Sequence, residues 1–168
     1  GRRPPLSGST DVTAERYAHE ILASGLPGLR GLPERVVRAQ LDGYLERIID
    51  HDFEELGAPV RNRAALRRWM TAYASAVSGT ASYEKIRDAA TAGNDEKPAK
   101  TTVSRYLDTL EHLWIIEPIP AWAPARNDLA RLALSPKHQL ADPALAARLR
   151  GATIATLLEG TPAGPVAP

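Results

Sequence analysis

The sequence predicts a mainly α-helical fold, a helical bundle followed by a winged helix-turn-helix with a short β wing. Three observations lead to this prediction. Hydrophobic residues make up 43% of the 168 residues but aromatic residues only 5%, so the core must be built from aliphatic side chains, many with good helix propensity. Apolar residues recur at helical spacing in several segments. A β-branched segment broken by prolines follows the last long helical pattern, which is typical of an edge strand.

The helical bundle is predicted over residues 11–79, after a flexible lead-in at residues 1–10. It contains three helical patterns, and each has a start and a stop signal. A capping side chain or a proline marks the start, and glycine marks the end. The expected helices run from Thr10-Asp11 to the turn at residues 25–28, from Pro33 to about Leu56, and from near Asn62 to Gly79.

The winged helix-turn-helix is predicted over residues 80–135. We expect a short helix from Ser82, a polar turn at residues 93–98, and a long helix from Ala99 to Trp114. The proline-broken strand then covers residues 115–122, with returning extended segments at 132–134 and 138–141. The remaining residues, 136–168, are predicted to form two short helices and a flexible Pro/Gly tail. The apolar face expected for the long helix consists of Val103, Leu107, Leu110 and Trp114.

The N-terminal end of the long helix carries the candidate contacts to nucleic acid. In a helix-turn-helix the second helix enters the major groove, and lysine, arginine and hydroxyl side chains bind phosphates. Asp108 and Glu111 lie further along the same helix and would repel a phosphate backbone. The net charge of only +1 also argues against an extensive nucleic-acid surface. Binding to double-stranded DNA and packing against protein alone therefore both stay open. The candidate contact residues are Lys97, Lys100, Thr101, Thr102, Ser104 and Arg105.

The sequence contains no motif for catalysis. It lacks a phosphate-binding glycine loop, a nucleophile elbow and a His-Glu-x-x-His pair, and it has no cysteine. We therefore expect no enzymatic activity and no cofactor in this chain. No apolar run of about 18 residues suggests a membrane span, and no apolar signal core follows the basic N-terminus. The expected location is the cytoplasm, without a membrane partner.

An acidic cluster lies in the second predicted helix. Glu46, Asp50 and Glu54 share a helix face and could bind a metal together with His51. The favoured interpretation is a solvated, charged helix face, since no second set of ligands is visible. The other histidines, at positions 19, 112 and 138, are isolated in sequence. We expect them to be surface or packing residues and predict no metal site.

Four short patterns, taken in order over residues 20–145, resemble the C-terminal region of predicted bacterial and archaeal AAA-type ATPases. The resemblance implies an ATPase lid followed by a winged helix. His51 departs from the family pattern, which has an arginine there. The four patterns are the turn at residues 25–27 (GLP), residues 44–52 (YLERIIDHD), the segment from Tyr83 through residues 105–111 (RYLDTLE) to Pro120, and Ser135-Pro136-Lys137 followed by Asp142.

The resemblance also implies partners. ATP and Mg²⁺ would bind an absent N-terminal ATPase core, and the present residues would be a regulatory or interaction module of that ATPase. The nuclease-like last domain of the family is not expected here, because the chain continues into a Pro/Gly tail. The alternative function is protein–protein interaction without nucleic acid. Its simplest form is homo-oligomerisation through the apolar helix faces of residues 34–56 or 62–78.

Overall fold

The computed structural model describes residues 8–93, 97–121 and 134–160. These residues are mainly helical, and no β-strand occurs among them. A 3₁₀ turn at Pro27–Leu29 follows the first helix, and a π-helical turn at Ile48–Asp52 joins the second helix to the third. The helices are α1 (Ala14–Leu22), α2 (Glu34–Arg47), α3 (Phe53–Glu55), α4 (Arg63–Ser75), α5 (Tyr83–Ala89), α6 (Lys100–His112), α7 (Pro143–Arg150) and α8 (Ile154–Leu158).

The helix starts follow from capping side chains. Asn62 accepts a hydrogen bond from the Ala65 backbone N–H at 2.9 Å, and Ser82 caps α5 in the same way. These two starts were predicted from the sequence. The start of α1 was predicted too early, because its cap is the Thr13 hydroxyl and not Thr10 or Asp11. Pro33 was expected to be the first residue of α2 but is its N-cap residue, so the helix begins one residue later, at Glu34.

The second predicted helix is interrupted where the acidic cluster begins. The expected single α-helix to Leu56 is not formed, because a π-helical turn separates α2 from the short α3. Gly57 then adopts a left-handed conformation with φ 69°. The Ala58 N–H donates to the Phe53 carbonyl oxygen and the Gly57 N–H to the Glu54 carbonyl oxygen, both at 2.9 Å. This pair of bonds is a Schellman motif, which satisfies the last carbonyls of the helix.

A single hydrophobic cluster connects α2, α4, α6 and α7. Its largest fully buried side chains are Trp69 and Tyr73 of α4 and Phe53 of α3. Burial of a large apolar side chain contributes about 1.5–3 kcal/mol relative to exposure. The helix α7 contacts α1, α2 and α4, so the core includes residues from all three segments predicted after residue 10.

A buried carboxylate joins the start of α7 to the turn after α1. Asp142 accepts hydrogen bonds from the Ala144 N–H at 2.7 Å, the Gly25 N–H at 2.9 Å and the Ser24 hydroxyl. Ser24 is itself buried and has a positive φ of 66°. The aspartate of the fourth ATPase-like pattern therefore serves as a helix cap and a crosslink between two turns.

The predicted β wing does not form strands among the described residues. Ile119 and Lys137 exchange two backbone hydrogen bonds of 2.8 Å, and Ile116 forms a second antiparallel bridge with Leu140. The expected strand at residues 115–122 is thus reduced to isolated bridges. Pro118 and Pro120 explain this, because they lack the N–H groups that a continuous ladder needs. Residues 122 and 132–133 of the expected wing lie outside the described residues.

A further backbone pair joins this region to the connection between α4 and α5. The Ser78 N–H donates to the His138 carbonyl oxygen at 2.8 Å, and the His138 N–H donates to the Gly79 carbonyl oxygen at 3.0 Å. The segment around His138 therefore pairs with residues 78–79 as well as with residues 116–119.

Within the described ranges, every helix is too short or too polar to cross a membrane.

Candidate nucleic-acid interface

The helix α6 presents one buried and one exposed face. Val103, Tyr106 and Leu110 are buried in the core. The predicted apolar face was correct for Val103 and Leu110, but wrong for Trp114, whose side chain is 77% exposed. The reason is that α6 ends at His112, two residues earlier than expected. The candidate contacts Lys97, Lys100, Thr101, Ser104 and Arg105 are exposed, and Thr102 is half-buried.

The two candidate lysines are engaged by acidic residues of α5. The Lys100 ammonium lies 3.3 Å from the Glu84 carboxylate, and Lys97 forms an ion pair with Asp88. The hydrogen bond from Lys97 holds the pKa of Asp88 below its usual range. These pairs join α5 to Lys100 of α6 and to Lys97 just before it, and they neutralise part of the positive charge near the start of α6.

Arg105 lies at a groove that the sequence did not predict. The groove has a volume of about 500 Å³ and lies between residues 58–62 and the first half of α6. Lys97, Thr102 and Arg105 of the candidate set line it, together with Arg61. Thr101 and Ser104 are exposed but are not part of its lining. The structure thus brings three of the six candidates together and adds Arg61, for which the sequence offered no periodic or motif signal.

Charge is distributed unevenly along α6. Cations lie at its start, whereas Asp108 and Glu111 occupy its second half. Partial burial and the nearby Asp108 charge raise the pKa of Glu111. Anions are favoured at a helix N-terminus and disfavoured at its C-terminus. Only the first half of α6 is therefore suited to contact with a phosphate backbone.

Acidic residues of the cluster form ion pairs with arginines of α4. The Asp50 carboxylate lies 3.2 Å from the Arg63 guanidinium, and Glu46 lies 3.8 Å from Arg67. His51 is exposed at the π-helical turn. No group of three or more potential metal ligands occurs in the part of the chain that the structure describes. The arrangement is that of a charged, ion-paired surface.

His138 is the one histidine that packs in the interior. It is fully buried, and its ring contacts Tyr73 and Tyr83 edge-on, with centroids 5.0 and 5.2 Å away. Its Nε2 lies 2.7 Å from the Ala81 carbonyl oxygen and must donate, since a carbonyl can only accept. His19 and His112 are exposed. These positions agree with the expected surface and packing roles.

The fold and the site define a mainly helical domain that carries a cationic groove beside an amphipathic helix. The chain belongs to the family described as Domain of unknown function (DUF8612), which matches residues 14–155. No curated protein and no solved structure matches it. The family description names no activity and no ATPase, so the resemblance to AAA-type ATPases stays a hypothesis.

Proposed function

We propose that this domain is a winged-helix module that binds double-stranded DNA through the first half of α6. The observation that supports it most is the backbone pairing around His138. Residues 78–79, before α5, and residues 116–119, after α6, both pair with the segment at residues 137–140. Helix, turn, helix and an antiparallel return is the order of a winged helix-turn-helix, in which the second helix reads the major groove.

The distribution of charge supports the same orientation. Arg105 is exposed in the first half of α6 and has no ion-pair partner among the described residues. Lys97 and Lys100 are already paired with α5. An unpaired guanidinium contributes more to phosphate binding than a neutralised ammonium, because no existing ion pair must be broken. Among the six candidates predicted from the sequence, Arg105 is therefore the principal contact.

The test is fluorescence anisotropy of a mixed-sequence duplex, titrated with the protein at low and moderate salt. We expect binding that weakens steeply with salt, since phosphate contacts release counterions. Arg105→Ala should weaken binding on the order of tenfold, and Lys100→Ala by less. Absence of binding at low salt would contradict the proposed function. Equal losses for both variants would contradict the assignment of Arg105 as the principal contact.

We also propose a regulatory role of this module in an AAA-type ATPase. Its support is the order of the four sequence patterns, from the turn at residues 25–27 to Asp142. In such a protein, nucleotide bound to the ATPase core would reposition the helical bundle and thereby present or hide α6. The test compares the DNA affinity of the ATPase-containing protein with ATP and with ADP. Equal affinities would contradict this role.

Protein–protein interaction is the second candidate function, and Trp114 is the observation that favours it. Its side chain is largely exposed although its backbone has an unfavourable φ of 57°. The apolar faces of residues 34–56 and 62–78, where the sequence predicts self-association, are largely buried in the core, and this favours a different surface. Self-association would therefore involve Trp114. Sedimentation velocity of the wild type and Trp114→Ala tests this; a concentration-independent monomer would contradict it.

A further inference from the structure

The groove beside α6 is lined by positively charged side chains. Its lining contains Arg61, Lys97 and Arg105 and includes no aspartate or glutamate among the described residues. Two different chain segments supply these cations, the connection between α3 and α4 and the start of α6. A concave surface with cations on both sides raises the local concentration of anions.

Arg61 and Arg105 are both exposed, and neither has an ion-pair partner in the described ranges. Neighbouring arginines differ in this respect. Arg63 pairs with Asp50 and Arg67 with Glu46. The two guanidinium groups at the groove are thus available to an external anion.

The start of α6 adds a third feature to the groove. Ala99, its N-cap residue, lines the groove and cannot cap the helix with its side chain. Uncapped backbone N–H groups in the first turn of a helix bind anions, especially phosphate. Of the residues in this first turn, Ala99 and Thr102 line the groove together with the two arginines.

We propose that this groove holds the phosphate backbone of one DNA strand, with Arg61 and Arg105 each contacting a phosphate. The inference rests on the proposed function and extends the interface from α6 to residues 58–62. The arginine fork binds phosphate oxygens in a bidentate manner that lysine does not reproduce. Arg61 is then a binding residue outside the helix-turn-helix, fixing the position of α6 on the duplex without reading its sequence.

The experiment measures duplex binding by anisotropy over a range of salt concentrations for the full chain. The variants are Arg61→Ala, Arg61→Lys, Arg105→Ala and the control Arg35→Ala. Arg35 is exposed on α2, has no ion pair among the described residues and does not line the groove. Arg61→Ala should weaken binding on the order of tenfold and reduce the slope of log K against log salt by about 1.

The conservative variant separates charge from geometry. Arg61→Lys should keep the wild-type salt slope but lose part of the affinity, since the ammonium keeps the charge and loses the fork. Arg35→Ala should bind like the wild type. All these side chains are exposed, so melting temperatures should stay unchanged and losses can be attributed to binding.

The outcomes distinguish the two proposals. No binding by the wild type at low salt would overturn the proposed function and with it the groove. Binding that is weakened by Arg105→Ala but unchanged by Arg61→Ala would overturn the groove alone and leave α6 as the interface. An equal loss with Arg35→Ala would also overturn the groove, because the effect would then reflect net charge.

Discussion

At the scale of single residues, His138 links three parts of the fold. Its ring lies between Tyr73 and Tyr83, its Nε2 binds the Ala81 carbonyl, and its backbone pairs with residues 78–79. The histidine therefore serves as a core residue whose one hydrogen bond satisfies a backbone carbonyl. A smaller side chain would leave both a cavity and an unpaired carbonyl.

We predict that His138→Ala lowers the free energy of unfolding by about 2–4 kcal/mol. Urea denaturation followed by circular dichroism measures this. His112→Ala is the matched control, because His112 is exposed at the end of α6, and it should change stability by less than about 0.5 kcal/mol. Equal stability of the two variants would contradict the role assigned to His138.

Trp114 has an unfavourable backbone conformation, and its exposed side chain makes no buried contact that would offset it. It occupies the left-handed position after α6, where the Ile115 N–H donates to the Leu110 carbonyl oxygen at 2.9 Å. Glycine is the favoured residue at this position of a Schellman motif, because it has no β-carbon. The left-handed conformation of Trp114 could not be predicted from the sequence, because Trp114 continues the helical spacing of the apolar face.

We predict that Trp114→Gly raises the free energy of unfolding by about 0.5–1 kcal/mol relative to Trp114→Ala. The alanine variant is the control, as it removes the ring but keeps the β-carbon that the left-handed backbone disfavours. Thermal and urea unfolding of the two variants provide the comparison. A glycine variant less stable than the alanine variant would show that backbone strain at this position is negligible.

At the scale of elements, an ion pair joins α7 to α2. The Arg148 guanidinium donates to both Asp42 carboxylate oxygens, at 2.6 and 2.8 Å. This bond lowers the pKa of Asp42 and raises that of Arg148. Because the folded pKa of Asp42 is lower than the unfolded one, the pair stabilises the fold above the ordinary aspartate value of 3.8. Its contribution is lost as the pH falls through the folded value.

We predict that Asp42→Asn lowers the free energy of unfolding by about 1 kcal/mol or less at pH 7. The pair is more than one third exposed, so solvent screens it. The difference from the wild type should shrink as the pH falls below 3.8, because the wild-type carboxylate then becomes protonated as well. Urea titrations at neutral and acidic pH measure both values. A difference independent of pH would contradict an electrostatic origin.

At the scale of the whole molecule, the sequence indicates where helices begin better than where they end or which of them pack together. Asn62 and Ser82 were correct starts because a capping side chain acts over three residues. The π-helical turn was missed, since its apolar spacing resembles that of an α-helix. The groove was missed because Arg61 and Arg105 are 44 positions apart in the sequence, and only packing brings them to one surface.

The most consequential packing that the sequence did not indicate is that of α7 against α1, α2 and α4. We predict that truncation after Ser135 abolishes cooperative unfolding. Leu145 and its neighbours are buried, and the free energy lost with them exceeds the net stability of a typical domain, about 5–15 kcal/mol. Truncation after Gly160 is the control, since it retains α7 and α8. Calorimetry distinguishes the two, and a cooperative transition in the shorter chain would contradict the prediction.

The position of α7 also bears on how the chain folds as it is synthesised. α4 leaves the ribosome about 70 residues before α7, and until then the apolar surfaces of α1, α2 and α4 that α7 covers have no native partner. Contacts between segments so distant in sequence slow folding and leave hydrophobic surface exposed during synthesis. We therefore expect the nascent domain to complete its folding in one late step, after α7 has emerged from the ribosome.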